Sequence, residues 1–176
     1  PDLFEALCWA IMGQQINLPF AYQLRRRVIE QYGEAFEWDG SVYWFFPQPK
    51  DVLRASVEEL MELKLTRRKS EYVLGVAELL ESGTLSKAQL LTLPDPTAIE
   101  KHLVRIRGIG PWTAQYIALR CLRHPDAWPT GDVGLQNAVK RALQMERKAT
   151  QEELNELGEA WIGWRSYATF YLWNGW

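Results

Sequence analysis

The chain has 176 residues, of which 47% are apolar and 24% charged, and its formal net charge is −2. These proportions fit one domain, or two small lobes sharing a core, and argue against a disordered or fibrous protein. Two Cys and two His exclude a disulfide framework and a four-Cys iron–sulfur cluster, and they argue against a His-based metal site. Because no apolar run approaches the roughly 18 residues that span a bilayer, we expect a soluble monomer in the reducing cytoplasm, with no membrane partner.

The elements predicted in chain order are almost all helices. Apolar residues recur at helical spacing over 3–11, and a second helix is predicted over 18–32. Residues 33–50 crowd aromatics among Gly and Pro, which indicates an ordered loop or a short hairpin. Capping residues mark further helix starts at Ser56, Thr66, Ser86, Asp95 and Thr150. We therefore predict an all-α fold of nine or ten short helices.

Basic residues are concentrated in one part of the chain. Residues 101–148 contain nine Lys and Arg against three Asp and Glu, so this segment carries +6 and the remainder −8. One basic face on an acidic body is typical of a nucleic-acid-binding protein, and solvated helix surface is the alternative. The cluster formed by Lys64, Arg67, Arg68 and Lys69 leaves the same two alternatives open.

The most informative segment is residues 97–122. Two helices, about 97–104 and 111–122, flank the turn Gly108-Ile109-Gly110. The two glycines permit positive φ and close backbone approach, and Ile109 between them is predicted to turn inward. Backbone N–H groups at a helix start bind phosphate without side-chain charge. The turn is therefore either a phosphate site or a tight helix–helix turn without a ligand.

Four motifs, in this order, resemble the helix-hairpin-helix DNA glycosylase superfamily. Residues 10–16 match its first helix, and residues 103–114 resemble its hairpin motif. Pro129-Thr130-Gly131-Asp132 resembles its Gly/Pro-rich loop with an invariant aspartate. Residues 165–173 are similar to the C-terminal helix of its alkylbase branch, the bacterial 3-methyladenine DNA glycosylase II enzymes.

The resemblance implies a two-lobed helical core with an interlobe cleft. We expect one lobe over 1–123, containing the helix-hairpin-helix at about 97–122, and a second lobe over 124–176 that carries the catalytic aspartate. The mixed α/β domain that precedes the core in this branch has no counterpart here. Since the first residue is Pro rather than Met, we expect that an N-terminal domain is missing.

The resemblance also implies an activity. Bifunctional members carry a Lys two residues after the second hairpin glycine, where this chain has Trp112. A monofunctional glycosylase is therefore implied, which removes alkylated, cationic purines such as 3-methyladenine from double-stranded DNA in base excision repair. It would act on DNA in a bacterial cytoplasm and require no cofactor. The alternatives are a glycosylase for a deaminated or oxidised base, and a non-catalytic helix-hairpin-helix DNA-binding module.

Asp132 is the candidate catalytic residue. Cleavage of an N-glycosidic bond builds positive charge on C1′ of the sugar, and a nearby carboxylate stabilises that charge or orients the attacking water. Asp132 also stands where the next predicted helix needs an N-cap, so capping is the alternative reading of this residue. The two roles are compatible.

Three aromatic residues are candidates for binding the base. Trp112 and Tyr116 are four residues apart on one helix face, and Trp173 matches a third aromatic of the alkylbase branch. An alkylated purine is a cation and is attracted by aromatic faces. Packing in the core is the alternative for such a pair.

The resemblance implies the remaining candidates, of which one is a wedge that fills the space left when the base is extruded from the duplex. Gln15 corresponds in position to the wedge residue of the family's first helix, and a buried structural Gln is the alternative. By the same matching, Thr113 and the amides of Gly108 and Gly110 would face phosphate. Arg107 is a further candidate for this contact, and a solvent-facing Arg is the alternative. The family's hairpin often holds a monovalent cation through main-chain carbonyls, which here would belong to Val104, Ile106 and Ile109.

Overall fold

The structure is a computed structural model, and it describes residues 2–175. This range contains eleven α-helices and one antiparallel pair of strands. The predicted all-α class is confirmed, with one helix more than the upper estimate. None of the described helices combines the length and apolar character needed to cross a membrane. The elements in chain order are α1 (Leu3–Gly13), α2 (Leu18–Tyr32), β1 (Glu34–Trp38), β2 (Ser41–Phe45), α3 (Pro49–Val52), α4 (Val57–Glu62), α5 (Arg67–Glu81), α6 (Lys87–Leu91), α7 (Pro96–Leu103), α8 (Pro111–Arg120), α9 (Val133–Ala142), α10 (Gln151–Glu159) and α11 (Arg165–Asn174).

The predicted caps define the helix starts. The Ser56 and Thr150 hydroxyls accept from the backbone three residues on, and Glu59 and Glu153 accept from the cap N–H groups in return. Thr66 and Asp95 cap α5 and α7 with single side-chain bonds. Each cap satisfies an N–H group that has no partner inside the helix.

The aromatic segment after α2 forms a hairpin rather than an irregular loop. Strands β1 and β2 pair in register from Glu34 opposite Phe45 to Trp38 opposite Ser41. The turn is Asp39-Gly40, with φ of 50° and 70°, a dipeptide that favours two-residue hairpin turns. The Phe36 ring stacks on the rings of two residues of β2. All ten strand residues are exposed.

The chain divides into two compact units. The first extends to Leu90 and includes Ile106–Gly108, and the second contains Leu91–Arg105 and continues from Ile109. In the second unit, α7 packs against α8 and α9 against α11. The lobes expected from the sequence, 1–123 and 124–176, stay a prediction; α7 and α8 belong here to the second compact unit.

The first unit is organised around α1. This helix contacts α2 and α5, and α3 and α4 also pack on α5. Leu7, Ile11 and Met12 of α1 are fully buried. Helix α1 is therefore apolar on nearly all sides, as expected for a helix enclosed by its neighbours.

Lys69 corrects the prediction for the basic cluster at the start of α5. Its side chain is neither solvated nor free to contact DNA: it is 9% exposed, and Nζ donates to the Met12 carbonyl at 2.7 Å. Met12 lies in the last turn of α1, where carbonyls lack helical partners and a cation is favoured. Burial lowers the pKa of Lys69.

The core of the second unit forms around an indole. Trp128, Leu135, Val139, Ala149 and Leu154 make one buried cluster. The Trp128 Nε1 donates to the Leu154 carbonyl at 2.9 Å, so the polar edge of the ring is satisfied. This residue begins the loop that leads to Asp132.

Helix α11 is tied to the same region by polar contacts. Arg165 makes two hydrogen bonds to the Asp126 carboxylate, and the Gly163 N–H donates to it at 2.7 Å. Burial alone would raise the pKa of Asp126, but these bonds outweigh burial and lower it. The Ser166 hydroxyl donates to the His124 carbonyl at 2.6 Å and accepts from the Ala127 N–H at 2.9 Å. The first turn of α11 is thereby fixed to residues 124–127.

The turn between α7 and α8 uses only one of its two glycines for positive φ. Gly108 has φ of +92°, whereas Gly110 has φ of −97° and is the N-cap of α8. A Cβ on Gly108 would lie 2.3 Å from the Tyr72 ring, and a Cβ on Gly110 would meet no atom within 4 Å. Of the two glycines that permit positive φ, only Gly108 therefore adopts it. Ile109 is 5% exposed and turns inward as predicted.

Gly108→Ala is expected to lower the free energy of unfolding by at least about 2 kcal/mol, because it adds both left-handed strain and the Tyr72 clash. Urea denaturation measures the change. The matched control is Gly110→Ala, which is expected to cost less than about 1 kcal/mol, the difference between Gly and Ala at an N-cap. Equal losses for the two variants would contradict the assignment.

Candidate active site

Asp132 ends a tightly bonded loop and begins a helix. Its N–H donates to the Pro129 carbonyl at 2.8 Å, which closes the turn Pro129-Thr130-Gly131-Asp132. Its Oδ1 accepts from the Leu135 N–H at 2.7 Å, so it is the N-cap of α9. The predicted capping role is confirmed, and the side chain is half-buried.

Two indoles hold the Asp132 carboxylate. The Trp112 Nε1 donates to Oδ2 at 2.9 Å, and the Trp173 Nε1 donates to Oδ1 at 3.0 Å. Trp112 belongs to α8 and Trp173 to α11, so two separate helices of the second unit meet at this carboxylate.

The donors leave part of the carboxylate open. An ionised carboxylate has about four acceptor positions. Among residues 2–175, Leu135 and Trp173 occupy Oδ1, while Trp112 alone occupies Oδ2. One acceptor position of Oδ2 is thus available to a further group, while the plane of the carboxylate is fixed on both sides.

Two of the three aromatic candidates lie on α8 and the third lies on α11. Trp112 and Tyr116 stack with ring centroids 5.4 Å apart and an angle of 27° between the planes. Trp173 meets Phe170 edge to face at 5.8 Å. The three rings predicted to bind the base are therefore linked to Asp132: Trp112 and Trp173 directly, and Tyr116 through its stack on Trp112. All three are half-buried.

The absence of a side chain at Gly134 leaves space for the Asp132 carboxylate. A Cβ on Gly134 would lie 2.9 Å from Asp132 Oδ1 and 3.5 Å from Trp173 Nε1. The first turn of α9 thus carries a glycine beside the carboxylate, although glycine lowers helix stability by roughly 1 kcal/mol relative to Ala. Gly134 was not predicted to be part of the site. The sequence feature that could have indicated it is a glycine inside a predicted helix, two residues after Asp132.

Of the DNA-contact candidates in the first unit, Gln15 and Arg107 are exposed and Gly108 is half-buried. Gln15 has φ of +56° and lies two residues after the end of α1. The Arg107 guanidinium lies 2.9 Å from Glu71 and 5.6 Å from the centre of the Tyr72 ring. The sequence analysis missed Gln14, whose Nε2 donates to the Gly108 carbonyl at 2.9 Å. Its only signal is its position beside Gln15.

Thr113 requires a correction. Its side chain is 2% exposed, so the hydroxyl is covered by protein rather than presented to a phosphate. Its main-chain N–H lies in the first turn of α8, where N–H groups have no helical acceptor. Because the residue as a whole is covered, the structure presents neither the hydroxyl nor the amide of Thr113 to a phosphate.

Asp132→Ala is expected to destabilise the protein by about 1–2 kcal/mol through loss of the α9 cap. It should also move the indole ¹H–¹⁵N resonances of Trp112 and Trp173, because both lose a charged acceptor. The control Asp95→Ala removes the cap of α7 and should leave those two resonances in place. Unchanged resonances in Asp132→Ala would contradict the two indole contacts.

Comparison with known proteins agrees with the motifs. The family model described as HhH-GPD superfamily base excision DNA repair protein matches residues 8–163. A DNA-3-methyladenine glycosylase of Bacillus subtilis (strain 168) is 50% identical over 174 residues, which are 99% of this chain and 57% of the relative. DNA-3-methyladenine glycosylase 2 of Escherichia coli (strain K12) is 32% identical over 180 residues, covering 99% of this chain and 59% of that protein.

A solved structure has the same fold. The 3-methyladenine DNA-glycosylase from Archaeoglobus fulgidus superposes with a TM-score of 0.85 at 27% identity, covering 98% of this chain and 57% of that one. The chain thus spans less than two thirds of the length of these three proteins. From the match over residues 8–163, together with the 50% identity to the Bacillus protein, the chain belongs to the HhH-GPD superfamily of base excision DNA repair proteins.

Proposed function

We propose that this chain is the helical core of a monofunctional DNA glycosylase that hydrolyses the N-glycosidic bond of alkylated, cationic purines in double-stranded DNA. The observation that carries the proposal is the Asp132 carboxylate, fixed by two indole N–H groups and left with one open acceptor position on Oδ2. The names of the relatives in Bacillus subtilis and Escherichia coli support the same activity.

The proposed reaction breaks the bond between C1′ and the purine nitrogen. The bonding electron pair leaves with the base, which changes from a cation to a neutral purine, and C1′ becomes oxocarbenium-like. The Asp132 carboxylate, held in place by its donors, stabilises this positive charge. Water then adds to C1′ and loses a proton, and the open position of Oδ2 suits acceptance of that proton. Electrostatic stabilisation and water activation are both compatible with this geometry.

Aromatic faces supply the selectivity for cationic bases. The stacked Trp112 and Tyr116 present π surface next to the carboxylate. A cation gains about 0.5–2 kcal/mol from a favourable aromatic face. A cationic purine is also a good leaving group, so the site needs no strong general acid.

The residue after the hairpin supports the monofunctional assignment. Trp112 occupies the position at which bifunctional members carry the amine that attacks the sugar, and its Nε1 is engaged by Asp132. An indole cannot form a Schiff base with C1′. The proposed product is therefore an abasic site in an uncut strand.

The hairpin and the end of α1 are proposed to contact DNA. In the first unit, the Gly108 amide and Arg107 would face phosphate, and in the second unit the Gly110 amide would do so. Gln15 would occupy the space left by the extruded base. By the family resemblance, the main-chain carbonyls of Val104, Ile106 and Ile109 would bind a monovalent cation, and such an ion would strengthen the binding of phosphate.

Asp132→Asn is expected to slow release of 3-methyladenine from methylated DNA at least about 10²-fold, because the charge that stabilises the transition state is lost. Single-turnover measurement of free base gives the rate, and titration with duplex DNA gives Kd, which should change less than twofold. Equal release by both proteins would remove Asp132 from the mechanism. Unchanged binding with no base release by the wild type would favour the non-catalytic module.

Tyr116→Leu is expected to slow release of N7-methylguanine by about 2- to 30-fold, the equivalent of one lost cation–π contact. Release of a neutral lesion such as hypoxanthine should change less, since no cation is involved. Tyr116→Phe keeps the ring and is expected to retain most of the activity on the cationic base. Equal effects on both bases, or faster release of the neutral one by the wild type, would favour a different lesion class.

A further inference from the structure

Gln115 stands between a carboxylate and the loop that carries Asp132. Its Nε2 donates to Glu100 Oε2 at 2.7 Å, and its Oε1 accepts from the Trp128 N–H at 3.1 Å. Glu100 lies on α7, Gln115 on α8, and Trp128 at the start of the loop. All three belong to the second unit.

The sense of this amide is determined by its partners. An ionised Glu can only accept a hydrogen bond and a backbone N–H can only donate one, so NH₂ must face Glu100 and the carbonyl must face Trp128. Donation to a carboxylate polarises the amide and strengthens its carbonyl as an acceptor. A side chain at position 115 must donate to Glu100 and accept from the Trp128 N–H at the same time, and the amide of Gln does both.

The middle of the loop borders a cavity, whereas its first residues, Trp128 and Pro129, are buried. The cavity of about 390 Å³ borders Thr130 and Gly131, and Glu100, Trp112 and Gln115 are among its other lining residues. Discrete polar contacts therefore add to packing in setting the position of the loop. Helix α8 supplies two of them within one turn, from Trp112 to Asp132 at one end and from Gln115 to Trp128 at the other.

We infer that Gln115 is a positioning residue for Asp132: the relay from Glu100 through Gln115 to the Trp128 N–H sets the loop so that the carboxylate meets the indoles of Trp112 and Trp173. Gln115 does not touch the reacting atoms. This role in catalysis rests on the proposed glycosylase function, whereas the structural coupling from position 115 to the indoles does not.

The test compares three variants. Gln115→Leu removes both hydrogen bonds. Gln115→Glu keeps the acceptor for the Trp128 N–H but places a second carboxylate next to that of Glu100, so that the two repel each other. The double variant Glu100→Gln with Gln115→Glu exchanges the groups, so that a carboxylate at 115 accepts both from the new amide at 100 and from the Trp128 N–H. The matched control is Gln151→Leu, an exposed residue that lines the same cavity and makes no side-chain hydrogen bond to residues 2–175.

Two readouts separate positioning from general stability. Gln115→Leu is expected to slow single-turnover release of 3-methyladenine by about 10- to 100-fold, the cost of a misplaced catalytic group, with the Kd for duplex DNA changed less than twofold. It should also shift the indole ¹H–¹⁵N resonances of Trp112 and Trp173. The exchanged double variant should restore rate and resonances, Gln115→Glu alone should restore neither, and the Gln151→Leu control should match the wild type.

Wild-type rate and unmoved indole resonances in Gln115→Leu would overturn the inference, and so would failure of the exchange to restore either readout. If Gln115→Leu does not fold, Gln115→Glu and the exchanged variant decide by the same measurements. If the wild type releases no base, the proposed function fails, and the indole resonances alone still decide whether Gln115 positions Asp132.

Discussion

The Asp132 carboxylate joins three helices of the second unit at the candidate active site. It accepts from the backbone at the start of α9, from an indole of α8 and from an indole of α11. Three helices from distant parts of the sequence thus converge on two oxygen atoms. A half-buried carboxylate requires such donors to compensate its lost hydration, so the packing of the three helices and the position of the carboxylate depend on each other.

The surrounding contacts serve that convergence. Asp126 and Ser166 fix the start of α11 to residues 124–127, and the buried Trp128 fixes the beginning of the loop. Gly134 leaves the space that the carboxylate occupies. A site held by hydrogen bonds from several rigid elements keeps its geometry while a substrate binds, which is what electrostatic catalysis requires.

Local sequence was sufficient for much of this arrangement. Helix starts at Thr66, Asp95 and Asp132 were predictable because a cap is a contact between residues three apart. The link between Trp173 and Asp132 joins residues far apart in the chain and was accessible only through the family resemblance. Lys69 and Gln115 escaped prediction because a polar side chain on a helix has the same pattern whether it faces water or a partner on another element. The sign of φ at Gly110 could not be predicted either, since glycine permits both signs.

Gly108 and Tyr72 illustrate a constraint on how such a protein can change over time. Position 108 has no room for a β-carbon as long as the Tyr72 ring of α5 lies against it. The guanidinium of Arg107 lies over the same ring. Substitution at either position therefore alters what the other can tolerate. A designed relative with a larger residue at position 108 would therefore need a smaller side chain at position 72.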